Sequence, residues 1–461
     1  MKATGIIVEY NPLHKGHAYH IEQTRLLTGA DYVVAVMSGS FVQRGAPALL
    51  DKYTRTRMAL LCGADIVLEL PVLFAAGSAG DFAAGSISLL NDLGVIDSLC
   101  FGSEAGDIRP FLKTAAVLND EPEIFSARLQ EGLRCGLSFP AARQKALNAV
   151  LPEFCDGFFS SPNNLLGLEY TTALLRKKSS VRPYTIPRKG AGYHDTLSAS
   201  SKLHPESEKN APPFSASGIR AALNMLDFNS FSETLCSAVP PQTLPLWESI
   251  LSQNNYLFPD DLSSGLRYRL LTAAPGEFIR YADVTRELAD KLEKNRYPVT
   301  GWEDLCTSLK TREITYSRIS RALCRILLSI TAEQLENARQ NGHVSYARIL
   351  GFRRSAAPLL SAIKKNSAIP LISKPADASR ILSPNAMRMF EKDVLASHIW
   401  ENALYQKKVC ALAHTRAGRE CCQATPAFCA DANKKTAAHA PKSAAAVTKP
   451  VHEYIRQIII I

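Results

Sequence analysis

This sequence predicts a doubly wound parallel α/β sheet followed by a mostly helical domain, on three observations. Short apolar, β-branched runs alternate with helical stretches through the first half, as in successive βαβ units. Glycine and polar residues fall just after those runs, where the ligand crevice of such a sheet opens. Beyond residue 225 strand patterns thin out and apolar residues recur at helical spacing, as at Ile319, Leu323, Ile326, Leu327 and Ile330. The expected division is 1–225, 226–405 and a low-complexity tail, 406–461.

Residues 4–10, TGIIVEY, read as the first buried strand, short and mostly apolar. Asn11-Pro12 ends it, because proline fixes φ and pushes the residue before it out of the helical region. A helical pattern starts after Gly16 and carries His17, His20, Ile21, Thr24 and Leu27. Residues 32–37 and 65–70 read as further buried strands, with helices near 51–62, 80–92 and 109–118. Residues 98–102 form another strand ending in a glycine turn. Asn163 and Asn164 follow a proline and precede a helix starting near Leu165. Residues 433–449 are rich in Ala and Lys, so the tail is expected to be mobile. Ile458 to Ile461 are apolar but far too short to span a bilayer.

His14 and His17, three residues apart with Gly16 between them, land at a helix N-terminus. There the free backbone N–H groups and the macrodipole favour a phosphate. A second motif of that type is FSASGIR at 214–220, where hydroxyl residues open a helix with an arginine in its first turn. Ser215 or Ser217 can cap that helix; with Arg220 they can also hold the outer phosphates of a nucleoside triphosphate. No Walker-type loop is present, nor a G-x-G-x-x-G after the first strand.

The first-strand His14-x-Gly16-His17 and the late Ser215-to-Arg220 motif together resemble the HIGH-type nucleotidyltransferase superfamily. Residues 8–17 (VEYNPLHKGH), 37–45 (MSGSFVQRG), 101–104 (FGSE) and 162–167 (PNNLLG) further resemble the bacterial tRNA(Met) cytidine acetate ligase family. Weaker blocks lie at 349–352 (ILGF) and 369–374 (IPLISK). Leu13 and Lys15 depart from the family's phenylalanine and frequent asparagine, and Gly218 loosens the late motif. The resemblance implies that His14 and His17 stabilise the α-phosphate of ATP during adenylyl transfer. It implies an ATP site from Ile7, Val8, Glu9, Tyr10, Asn11, Pro12, Leu13, His14, Lys15, Gly16, His17, Ala18, Tyr19 and His20, with Gly102, one asparagine of the 163–164 pair (Asn163 the choice) and Arg188. Ser38, Gly39 and Arg44 border the same cleft by position, and His20 is expected to pack. The implied reaction joins acetate to ATP as acetyl-adenylate and passes the acetyl group to N4 of the wobble cytidine of elongator tRNA(Met). ATP is the implied cofactor, with Mg²⁺ on its phosphates; tRNA and acetate are the partners, and no DNA or membrane is expected.

Charge bears on the RNA. Residues 1–225 hold 22 Lys and Arg against 21 Asp and Glu, so nearly all of the net +10 lies in the second half. A basic half beside a neutral one suits a polyanion held through its phosphates. Arg318, Arg321 and Arg325, at i, i+3 and i+7, form one helical face near Lys310, Arg312 and Tyr316; Lys52, Arg55 and Arg57 form another cluster. Both are candidate tRNA contacts, a solvated face being the alternative. Eleven scattered cysteines and a start directly on a core strand point to the cytoplasm. Cys421, Cys422 and Cys429 with His414 and His439 lack the spacing of a zinc site, so no metal ligands are assigned. The alternatives are a small-molecule adenylyltransferase, for which the basic half is superfluous, and a non-catalytic RNA-binding protein, which intact His14, His17 and Arg220 oppose.

Overall fold

The computed structural model describes residues 1–154, 157–188, 215–225, 228–297, 300–424 and 450–461. Phe214, Cys429, His439 and the 433–449 stretch lie outside the described residues, as do the side chains of His414, Cys421 and Cys422.

Strand β1 (Ala3–Val8) is buried along its whole length, and β2 (Tyr32–Ser38) pairs with it in parallel, Ala3 opposite Tyr32 through Val8 opposite Met37. Strands β3 (Ile66–Leu70), β4 (Ser98–Ser103) and β5 (Arg182–Pro187) complete a parallel sheet ordered β5-β4-β1-β2-β3. Alternating side chains feed two cores. Val33, Ala35 and Met37 join Ile21 and Met58 on one face; Val34 and Val36 join Phe82, Ile87 and Leu168 on the other. Helices α1 (Lys15–Thr28) and α2 (Lys52–Leu61) therefore cover the first face. The second is covered by α3 (Val72–Ala75), α4 (Ala79–Asp92), α5 (Arg109–Asp120), α6 (Glu123–Arg134), α7 (Phe139–Val150) and α8 (Pro162–Arg176). The winding reverses between β1 and β4, and that switch point is where a doubly wound sheet opens for a ligand.

The boundary expected at 225/226 does not divide the packing. Helix α9 (Ala216–Met225) buries Ile219 and Ala222 in the α1 core together with Phe231, Leu235, Trp247 and Ile250. The later residues are mostly helical, yet β6 (Ala347–Phe352) extends the sheet antiparallel to β3, and β7 (Leu371–Ile372) follows it. The run Arg348-Ile349-Leu350-Gly351-Phe352 has the β-branched and aromatic character of a buried strand, and only its partner at β3 decides that it is one. The tail is also corrected in part. A helix spans Pro384–Ala424, and the short strand β8 (Ile459–Ile460) pairs with β6. Among the described residues no helix is long and apolar enough to cross a membrane.

Candidate active site

The chain leaves β1 through Glu9 and Tyr10, the latter at φ 50° and fully buried, then through a cis Asn11–Pro12 bond. Asn11 is fixed from two sides: its Oδ1 accepts the Leu49 N–H at 2.7 Å, and its carbonyl accepts from the Arg220 guanidinium. Leu13 is buried and anchors the turn, so His14 arrives at the N-cap of α1.

The two imidazoles close that cap reciprocally. Nδ1 of His14 accepts the Gly16 N–H at 3.1 Å, and Nδ1 of His17 accepts the His14 N–H at 3.2 Å. An imidazole whose Nδ1 accepts carries its proton on Nε2, so both rings present Nε2–H donors at the head of α1. The rings lie 3.8 Å apart, tilted by 30°, and the edge of Tyr10 braces His17 at 5.1 Å. Gly16 is required by this geometry, since a Cβ there would stand 2.9 Å from Cε1 of His14. Burial, reinforced by the Arg188 charge, pushes His14 down to about 3. Burial also holds His17 well below its usual range and takes His20 down to about 4. All three are neutral near pH 7. Nε2 of His20 is buried without a partner among the described residues.

Opposite the imidazoles, the β4 end is organised by Glu104, a residue whose role the sequence left unread. Its carboxylate accepts the Asn164 N–H at 2.8 Å, the Asn163 N–H at 3.3 Å and Asn163 Nδ2 at 2.6 Å, capping α8. Asn164 Oδ1 returns the favour to the Glu104 and Ala105 amides, which commits that buried side chain to structure. Asn163 stays half-buried, its Oδ1 accepting from Arg188 at 2.9 Å. Arg188 is exposed, and its charge reaches His14, His17 and His20. At Gly102 a Cβ would make ordinary contacts, 3.5 Å from Arg188 and 3.9 Å from the Ile186 carbonyl, so among the described residues nothing forbids a side chain there.

Helix α9 adds the third side. Ser215 Oγ accepts the Gly218 N–H at 3.1 Å, the cap the sequence allowed. Arg220 meets Ser217 Oγ at 3.2 Å as well as the Asn11 carbonyl, which binds the late motif to the post-β1 turn. Lys15 is exposed and touches the Cys236 carbonyl at 3.4 Å. Ile7 and Val8 are core residues of β1, and Ala18 and Tyr19 are half-buried on α1. Ser38 is buried, with its hydroxyl unpartnered among the described residues.

Four of the proposed tRNA cations are not free to meet RNA. Lys52 is buried, held by Glu69 at 2.7 Å and Glu453 at 2.8 Å; Arg348 completes this buried quartet, 2.9 Å from Glu69 and also paired with Glu453. Arg55 is buried too, donating to the carbonyls of Leu50, Glu9, Ser38 and Gly39 and tying the ends of β1 and β2 together. Arg325 has no exposure, and its Nε donates to Asp283 at 2.9 Å. Arg321 lies 3.6 Å from the same carboxylate, with its backbone under Gly45, whose φ of 74° admits no side chain against it. A neighbouring loop thus covers the face that looked open in the sequence. Arg318 is half-buried, while Arg57, Lys310 and Arg312 are exposed. Among the described residues no group of three or more His, Cys, Asp or Glu is placed to hold a metal ion.

The model of the HIGH Nucleotidyl Transferase family matches residues 1–415. A tRNA(Met) cytidine acetate ligase from Acetivibrio thermocellus is 38% identical over 403 residues, 87% of this chain and 94% of that protein. One from Clostridium novyi is 40% identical over 377 residues, 81% and 90% of the two chains. The crystal structure of Thermotoga maritima TmcAL bound with alpha-thio ATP superposes with a TM-score of 0.77 at 28% identity, covering 88% of this chain and 95% of that one. Its apo form gives a TM-score of 0.80 at 29% identity. With imidazoles, glycine and late arginine meeting at the switch point of a doubly wound sheet, the chain belongs to the HIGH nucleotidyl transferase family and, within it, to the tRNA(Met) cytidine acetate ligases.

Proposed function

We propose that this protein condenses acetate with ATP and acetylates N4 of the wobble cytidine of elongator tRNA(Met), releasing AMP and pyrophosphate. The observation that carries the reading is the reciprocal histidine cap, which aims two neutral Nε2–H donors at the head of α1. An acetate oxygen attacks the α-phosphorus, the bond to the β-phosphate bridge breaks, and pyrophosphate leaves. Charge gathers on the α-phosphate oxygens in the transition state, and preorganised donors at that point lower the barrier. The free N–H groups of the first turn of α1 add to them. Asn163 and Arg188 bound the nucleotide from the β4 side, and Gly102 leaves room for it. Arg220 and Ser217 suit the outer phosphates. Mg²⁺ would arrive on the triphosphate and balance its charge.

For the RNA, the cations that remain accessible are Arg57, Lys310, Arg312 and Arg318, with Tyr316, 37% exposed, available for stacking on an unpaired base. The test is to incubate the protein with ATP, labelled acetate and total tRNA, digest the RNA and separate the nucleosides. Labelled N4-acetylcytidine in tRNA(Met) is expected. Label retained only in a small-molecule adenylate or dinucleotide would replace this reading with that of a small-molecule adenylyltransferase.

A further inference from the structure

The two half-reactions make different demands on the site. Acetate arrives as an anion and attacks phosphorus without help from a base. The N4 amine of cytosine is a poor nucleophile, its lone pair delocalised into the ring, and it must lose a proton as its bond to carbon forms. Acetyl transfer therefore calls for a proton acceptor within reach of the amine.

His14, His17 and His20 cannot supply it. Nδ1 of His14 and of His17 is already accepting a backbone N–H, and the other nitrogen of each ring is a donor. Nε2 of His20 is sealed from solvent one turn further along α1. Glu104 spends its carboxylate on the first turn of α8. Among the described residues at the carboxyl edge of β1 this leaves Glu9. It follows the last residue of β1, keeps partial exposure, and fixes its carboxylate through Oε1, which accepts the Gln43 N–H at 2.6 Å. Three cations face it from three elements: Arg44 on the loop after β2, Arg55 on α2 and Arg220 on α9; Tyr170 faces it from α8. The same Arg220 holds the turn that carries His14, so Glu9 and the imidazoles belong to one rigid edge.

We propose that Glu9 is the general base of acetyl transfer, a role that rests on the ligase reading above. The N4 lone pair attacks the carbonyl carbon of acetyl-adenylate while the N4 proton passes to the Glu9 carboxylate. The C–O bond to the phosphate then breaks, its electron pair staying on AMP, and the proton is released from Glu9 to solvent. Burial raises the affinity of this carboxylate for a proton, and the Gln43 hydrogen bond, followed by the three arginines, limits the rise. It is thereby a stronger base than an exposed glutamate, yet still ionised at the upper end of its titration.

The experiment compares Glu9→Gln, which keeps the acceptor for the Gln43 amide and loses the basicity, with Glu9→Asp. Acetate-dependent exchange of pyrophosphate into ATP reads the first half-reaction, and single-turnover acetylation of tRNA reads the second. For Glu9→Gln the loss in transfer should exceed the loss in exchange by about 10²-fold or more, in the range typical of a positioned base. Wild-type transfer should rise with pH to a plateau as Glu9 ionises; Glu9→Asp should keep that limb at a lower rate, and Glu9→Gln should lack it. Equal losses in both half-reactions, or an unchanged transfer rate, would overturn the proposal. Should Glu9→Gln not fold, absence of the limb from both wild type and Glu9→Asp would overturn it instead. Absence of exchange in the wild-type protein would sink the ligase reading itself.

Discussion

The backbone N–H of His14 donates to Nδ1 of His17 at 3.2 Å, so the second histidine sets the path of the chain at the first while aiming its own proton outward. Position and chemistry are coupled within a single turn of helix. Replacing either ring by alanine should lower acetate-dependent pyrophosphate release by about 10²–10³-fold, the usual cost of losing one preorganised donor. Circular dichroism and tRNA affinity should stay close to wild type. Near-normal turnover in both variants would remove nucleotidyl transfer by this site.

The same rings make stability depend on pH. The folded protein holds His14 at about 3, whereas the unfolded chain titrates near the ordinary 6.5, so below pH 6.5 the unfolded state takes up a proton that the native state refuses. Stability attributable to His14 is therefore complete above pH 7 and falls as pH drops, by up to about 2 kcal/mol between pH 7 and pH 5. His17 and His20 act in the same direction. Thermal unfolding of wild type against His14→Asn at the two pH values measures the difference; an equal drop in both proteins would refute it.

Gly102→Ala separates a ligand's demand from the fold's. The added methyl meets Arg188 at 3.5 Å and the Ile186 carbonyl at 3.9 Å, both ordinary contacts, so the melting temperature should change little. ATP affinity, read by calorimetry, should fall by tenfold or more if the nucleotide lies against this strand. Unaltered ATP binding would move the nucleotide away from β4.

Lys52→Met and Arg318→Glu should have opposite signatures. Losing Lys52 leaves Glu69 and Glu453 undercompensated in the interior, a change that costs about 3–5 kcal/mol of stability. The tRNA affinity of the protein that remains folded should be unaffected. Charge reversal at half-buried Arg318 should spare stability, weaken tRNA binding and flatten its salt dependence by about one unit per lost phosphate contact. A normal salt slope in Arg318→Glu would mean that this helix does not meet RNA.

How much of this was legible followed from how local the signal was. Strands β1 to β4 were readable because buried parallel strands are short apolar runs, and β1, the proline break and the histidines are contiguous; β5, with two prolines in six residues, was not read as a strand. The roles of Lys52, Arg55 and Arg325 were not, because a lysine or arginine spells the same whether it is solvated or paired. The deciding partners are remote: Glu453 for Lys52, the Ser38 and Gly39 carbonyls for Arg55, Asp283 for Arg325. Strand β6 escaped for a related reason, since only its pairing with β3 makes it a strand. Capping could be anticipated at Ser215 but not at Glu104, which acts across a gap of about sixty residues on α8.

The pairing of β6 with β3 and β8, and the quartet of Lys52, Glu69, Arg348 and Glu453 behind it, also set a timetable for the newborn chain. On a ribosome, Lys52 and Glu69 emerge early, while Arg348 and Glu453 are still unmade. At about 5–20 residues per second, the wait from Glu69 to Glu453 lasts roughly 20 to 80 s. Until β6 follows, roughly 14 to 56 s after β3, the outer edge of β3 is an open strand, a place where another nascent chain can pair by mistake. The protein therefore has to defer closing its central sheet until these distant segments have been made, and its yield in the cell becomes a matter of how well that edge is sheltered meanwhile.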